Sequence, residues 1–193
     1  MKYQTNYPAA CNAAETLLVH ASLLEGDNKF KAVAEALLDA NVTLRCEQDV
    51  RSVLLASLPS EQHGKIVAAT PEDFDTEFLD HIIAVKSVKD VNEAVEHINE
   101  HGSKHTDCIV TENEATSDFF TTRVDAAGCY WNASTRFADG FRYGFGAEVG
   151  VSISVYIKEE MSCHVKKMGI VGVDKQDSRP WSCRFGRFGD LQV

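Results

Sequence analysis

The stretch Ile82–Val110, reading IIAVKSVKDVNEAVEHINEHGSKHTDCIV, decides the fold class. Ile82, Ile83, Ala84 and Val85 form a short continuous apolar run, the pattern of a strand buried on both faces. From Val88 to His101 the period changes, with Val91, Ala94, Val95 and Ile98 on one helical face, and Gly102-Ser103 is expected to end that helix. Cys108, Ile109 and Val110 then read as the next strand. A strand, a helix and a strand in this order belong to a parallel sheet.

Working outward, the same alternation continues in both directions. Toward the N-terminus, Ala13 to Leu24 carries Leu17, Leu18, Leu23 and Leu24 with Glu15 in the first turn, which predicts a helix stopped by Gly26. Phe30, Val33, Ala34, Leu37 and Leu38 predict a second helix, and Val42 to Cys46 alternates as a strand does. Toward the C-terminus, Thr116 to Val124 reads as a helix, Ala126 to Trp131 as a strand, and Asn132 to Gly150 as a glycine-rich loop. The expected fold is therefore a three-layer α/β domain over residues 1–154 with a mainly parallel sheet covered on both faces. From Val155 onward, Lys158-Glu159-Glu160, Lys166-Lys167 and Arg184 to Gly189 keep neither period, so residues 155–193 are expected to form an irregular, unstructured tail outside that design.

Composition narrows the function classes. A chain of 193 residues with 44% hydrophobic content is long enough for one compact core. A net charge of -10 with a pI near 5.1 would be repelled by nucleic acid and by anionic membranes, so neither is an expected partner. No apolar run is of spanning length, and Met1-Lys2-Tyr3-Gln4 opens neither a signal peptide nor an Arg-rich presequence. Six cysteines, with no CxxC pair, point to a reducing intracellular setting, mitochondrial or cytoplasmic, rather than to a zinc knuckle. His97, His101 and His105 share a four-residue spacing, but the helix should end before His105, so the expected roles are hydrogen bonds at the helix-to-strand turn and no metal site.

Three segments carry chemistry. In Tyr7-Pro8-Ala9-Ala10-Cys11-Asn12-Ala13-Ala14-Glu15 a cysteine precedes a predicted helix, whose positive end would favour the thiolate. On residue type alone, Cys11 is either a nucleophile or a small buried hydrophobe. In Trp131-Asn132-Ala133-Ser134-Thr135-Arg136-Phe137 an arginine fork stands among hydroxyl and amide donors, suited to phosphate or carboxylate, or is an ordinary arginine of a solvated loop. Gly144 and Gly146 lack the strand and helix that a dinucleotide fingerprint requires.

These strings together resemble the gamma-glutamyl phosphate reductase (glutamate-5-semialdehyde dehydrogenase) family. The Tyr7 to Asn12 version looks like the reductase portion of eukaryotic delta-1-pyrroline-5-carboxylate synthases. The segment Val88 to Ile109, including His97, His101, Gly102, Ser103, His105, Thr106 and Asp107, and the segment Phe145-Gly146-Ala147-Glu148-Val149-Gly150 agree with it. The resemblance runs from Asn6 to about Ser154 and implies an aldehyde dehydrogenase-like catalytic domain. It implies Cys11 as the nucleophile that takes the acyl group of gamma-glutamyl phosphate. It also implies Asn12, Asn132, Ser134, Thr135 and Arg136 around the substrate, NADPH as hydride donor, glutamate 5-semialdehyde as product, and a homo-oligomer at full length. Glu77 stands where the wider superfamily has a glutamate touching the nicotinamide ribose; a capping or surface role is equally open to it.

The family's nucleotide-binding segment lies ahead of the cysteine, where this chain has ten residues, so the cofactor site is expected to be incomplete and the chain to be inactive alone or to act only by association with intact subunits. The family continues past Gly150-Val151-Ser152 with a motif close to KIHARGPVGLEGLVTYKY. Taking the last two bases of each codon with the first of the next, Gln176 to Val193 permit that string, so the tail is expected to be out-of-frame coding sequence, with Val155 to Lys175 read through from a retained intron or a gene-model error.

Overall fold

The computed structural model describes residues 7–25, 28–139, 142–144 and 169–172. The strand at the centre of the domain, β1 (Thr16–His20), explains the layering: Leu17 and Val19 enter one apolar cluster, while Leu18, fully buried, enters another. Alternate residues of a strand face opposite sides, so both faces of the sheet are covered. On the first face lie α1 (Asn28–Asp39), through Phe30, Ala34, Leu37 and Leu38, and α2 (Gln48–Ser57), through Val50 and Leu54. On the second lie α3 (Val91–His101), through Ala94, Val95 and Ile98, and α4 (Glu114–Arg123), through Phe120. This is the three-layer α/β arrangement read from the strand-helix-strand pattern.

The remaining strands are β2 (Thr43–Cys46), β3 (Ile66–Ala68), β4 (Ile82–Val88), β5 (Thr106–Val110), β6 (Gly128–Trp131) and β7 (Gly169–Gly172). They form one sheet in the order β3-β2-β4-β1-β7-β5-β6, with every pairing parallel. Thr16 lies opposite Ala84 of β4 on one side and Gly169 of β7 on the other. The helix after β4 starts where Asp90 accepts the N–H groups of Asn92 (2.9 Å) and Glu93 (3.0 Å), an N-cap that satisfies two of the first-turn donors. It ends at Gly102, where a Cβ would lie 2.4 Å from the Ile98 carbonyl oxygen, so only glycine fits. Among the described residues no helix is long and apolar enough to cross a membrane.

Three expectations need correction or extension. The helix predicted over Ala13 to Leu24 is a strand followed by a short 3-10 turn, Ala21–Leu23. A short apolar run fits either period, and here burial on both faces selects the strand. The tail beyond Val155 was expected to lack strand structure, yet Gly169–Gly172 pairs with β1 and β5 inside the sheet. Finally, α2 (Gln48–Ser57) and β3 (Ile66–Ala68) lie between β2 and β4, in a stretch to which the pattern assigned no element. The strings Phe145 to Gly150, Lys158 to Glu160, Lys166-Lys167 and Arg184 to Gly189 lie outside the described residues.

Leu18 tests the two-faced core. Its side chain is fully buried in the cluster that joins β1 to β5, α3 and α4, so Leu18→Ala removes transfer energy and leaves a cavity. The expected loss is about 2–5 kcal/mol in the free energy of urea unfolding, and a loss below about 1 kcal/mol would place Leu18 outside a close-packed core.

Candidate active site

The cysteine turn comes first. Two backbone bonds, Ala10 N–H to Tyr7 O (3.2 Å) and Ala13 N–H to Ala10 O (2.8 Å), fold residues 7–13 into consecutive turns just ahead of β1. Cys11 is half-buried at the bend. Because a strand follows it, the helix-dipole activation expected for Cys11 has no source here. The next side chain, Asn12, is only 7% exposed and turns inward.

The second part is the loop after β6. Asn132 takes a left-handed conformation (φ 51°), which asparagine tolerates better than most residues, and this reverses the chain at the end of the strand. Its amide is used on both ends: Oδ1 accepts the Thr111 N–H (3.0 Å) and Nδ2 donates to the Thr111 carbonyl (2.8 Å). The indole N–H of Trp131 donates to that same carbonyl at 2.7 Å. The reversed chain then runs back over β5, where the Cys108 thiol donates to Ala133 O at 2.9 Å. Ser134 caps the short 3-10 turn Thr135–Phe137 by accepting the Arg136 N–H at 3.2 Å.

These two parts meet at Asn12. Its Nδ2 donates to Ala138 O at 2.8 Å, and its backbone carbonyl accepts the Thr135 hydroxyl at 3.1 Å. Its Oδ1 accepts a guanidinium N–H of Arg136. Of the six residues singled out with Cys11, Asn12, Thr135 and Arg136 are thus in direct contact, while Ser134 and Asn132 shape the loop that presents Arg136. Thr135 is fully buried, so its hydroxyl serves the tie to Asn12 rather than an incoming ligand. Arg136 is half-buried and has further N–H donors beyond the one given to Asn12.

Glu77 lies on a separate segment, between the 3-10 turn Pro71–Phe74 and β4. Burial raises its carboxyl above the ordinary glutamate range. The turn before it is anchored by Asp73, whose carboxylate accepts Arg45 Nη1 (2.7 Å) and the Thr70 N–H (2.8 Å). The segment after it is tied to Glu15, whose Oε1 accepts the N–H groups of Phe78 (3.0 Å) and Leu79 (3.3 Å). Glu15 was read only as a helix-start acid; its flanking Ala13, Ala14 and Leu17 were the available signal that it is buried. Nothing in sequence spacing pointed to Thr111 or to the Ala138 carbonyl.

The histidines separate in role. His105 Nδ1 meets the Thr106 hydroxyl at 2.7 Å, within the helix-to-strand turn as expected. His101 instead pairs with Asp75 (2.9 Å), and His97 packs edge-on to Phe74 with ring centroids 5.3 Å apart, so both dock α3 onto the Pro71–Phe74 turn. Among the described residues no group of His, Cys, Asp and Glu has the geometry of a metal site.

This geometry defines an α/β domain that clamps a cysteine turn to a cationic loop. No family model matches the chain. Over 149 residues it is 49% identical to a probable gamma-glutamyl phosphate reductase of Schizosaccharomyces pombe, covering 77% of this chain and 32% of that protein. Over 198 aligned positions it is 44% identical to the gamma-glutamyl phosphate reductase of Saccharomyces cerevisiae, covering 98% of this chain and 40% of the relative. The crystal structure of gamma-glutamyl phosphate reductase from Thermotoga maritima superposes with a TM-score of 0.69 at 40% identity, over 79% of this chain and 34% of that one. The chain is thus a homologue of part of the gamma-glutamyl phosphate reductases, spanning 32–40% of the length of these curated relatives.

Thiol reactivity checks the site. Burial pushes the Cys46, Cys108 and Cys129 thiols up to about 12, so at pH 8 each holds on the order of one part in ten thousand as thiolate. With limiting iodoacetamide at pH 8, mass mapping is expected to find Cys11 labelled ahead of these three. Labelling of Cys46, Cys108 or Cys129 first would remove Cys11 from the nucleophile's place.

Proposed function

We propose that this chain supplies the nucleophile and acyl-binding part of an NADPH-dependent glutamate-5-semialdehyde dehydrogenase. The observation that carries the reading is the Asn12 tie, which joins the cysteine turn to the Arg136 loop across 124 residues of sequence. Relatives of 44–49% identity named gamma-glutamyl phosphate reductases supply the substrate class.

The Cys11 thiolate attacks the acyl carbon of gamma-glutamyl phosphate, the carbon–oxygen bond to phosphate breaks, and a thioester and free phosphate result. Backbone N–H groups of the turn stabilise the oxyanion of the tetrahedral intermediate. The spare N–H donors of Arg136 hold the leaving phosphate or the substrate carboxylate, and a guanidinium fork does this with two parallel bonds. When bound, NADPH supplies the hydride that releases glutamate 5-semialdehyde from the thioester and returns the thiolate. Of the residues described, Glu77 fits the nicotinamide end of that cofactor: it lies between two anchored backbone segments, and its carboxyl can accept from ribose hydroxyls. No described glycine turn joins a strand to a helix as a diphosphate site would, so the diphosphate end needs residues beyond these. At the relatives' length the protein acts as a homo-oligomer in a reducing compartment. A second reading is a catalytically inactive chain that acts only by association with intact subunits; this chain covers 32% of the Schizosaccharomyces pombe relative.

The test replaces the matching part of the yeast reductase with residues 7–139 and follows phosphate-dependent NADP+ reduction by glutamate 5-semialdehyde. Cys11→Ser should abolish turnover, and Arg136→Lys should cost about 1.5–3 kcal/mol in kcat/KM. Glu77→Gln should raise KM for NADP+. An active Cys11→Ser chimera would overturn the mechanism. The 193-residue chain alone is expected to label at Cys11 yet oxidise no NADPH, because hydride transfer needs the nicotinamide held against the thioester. NADPH oxidation by the chain alone would contradict the second reading.

A further inference from the structure

We propose that Glu15 is a positioning residue: its buried carboxylate grips the peptide N–H groups of Phe78 and Leu79 and thereby sets the place of Glu77 relative to the cysteine turn. The inference rests on the reading of Glu77 as the cofactor-facing carboxyl. It concerns a residue four positions beyond the nucleophile.

Two neighbouring N–H groups converge on one oxygen, at 3.0 Å from Phe78 and 3.3 Å from Leu79. Such a pair of successive N–H groups forms a small anion-binding concavity. Its shape requires a left-handed residue, and Leu79 supplies it with φ 54°, a conformation that leucine adopts at a cost. The Leu79 side chain is 52% exposed and so gains little from packing to offset that cost. The carboxylate therefore accounts for the backbone bend. Glu15 itself is 6% exposed and cannot drift, because its carbonyl accepts the Ala84 N–H (2.9 Å) at the point where β1 and β4 begin to pair. One end of this residue is fixed in the sheet beside the cysteine turn, and the other holds the peptide next to Glu77.

An ordinary buried acid that merely satisfies two amides would have the same bonds, so the test must read Glu77 itself. Two variants of the full 193-residue chain separate reach from charge. Glu15→Asp keeps the charge and shortens the side chain by one methylene; Glu15→Gln keeps the reach and removes the charge. Circular dichroism confirms folding. Amide hydrogen exchange then reports Phe78 and Leu79, and carbon-detected NMR titration reports the Glu77 carboxyl. Positioning by reach predicts that Glu15→Asp speeds exchange at both amides at least tenfold and lowers the Glu77 midpoint toward the ordinary glutamate range, with Glu15→Gln doing less of each. The opposite order, or faster exchange with an unmoved Glu77 midpoint, overturns the proposal. Neither readout uses cofactor or turnover, so a Glu77→Gln chimera with unchanged cofactor KM would remove the cofactor role of Glu77 without touching these results.

Discussion

The amide of Asn12 is the interaction on which the site depends. It sits one residue beyond Cys11, at 7% exposure, and is bonded through its backbone carbonyl, its side-chain carbonyl and its side-chain amine to Thr135, Arg136 and Ala138. A buried amide with one end unpaired would cost roughly 1–3 kcal/mol, so the cysteine turn and the loop hold each other in place. The arginine contributes a charge-assisted bond to this tie, which makes it stronger than a neutral one. The residue next to the cysteine and the cation are thus brought into contact across 124 residues of sequence.

That tie crosses a seam in the sheet. On one side stand β3, β2, β4 and β1, on the other β5 and β6, and among the strand pairings of the described residues only β7 bridges them. Leu18 of β1 and Ile109 of β5 share a core cluster across the same seam, beneath the ladder. The site therefore sits where backbone pairing, core packing and the Asn12 tie act together. A four-residue strand from the tail, Gly169–Gly172, completes the ladder at that position.

Much of this was legible in the sequence, and the reasons differ by element. The Ile82 to Val110 stretch disclosed itself because its period changes from continuous to 3.6 and back, and α3 and β5 follow that change. The segment after Cys11 did not, because Thr16-Leu17-Leu18-Val19 is apolar on both faces and periodicity cannot separate a buried strand from a helix there. Arg136 was recognisable by residue type. Its partner was not, since spacing along the chain carries no information about a contact 124 residues away. The four residues of β7 were invisible for a related reason: a Gly-Ile-Val-Gly strand is too short and too small to show a period, and its pairing depends on the edges it fills.

The central claim, that Asn12 and Arg136 act as one unit to hold the cysteine turn, is tested most directly by a double-mutant cycle. The second-order rate of Cys11 alkylation is measured in the native chain, Asn12→Ala, Arg136→Ala and the double variant. If the two residues form one tie, each single change alters the rate and the double variant departs no further than the larger single one, so the logarithms of the effects do not add. Independent residues would give effects that add within experimental error. Additive effects, or an alkylation rate indifferent to both changes, would contradict the account.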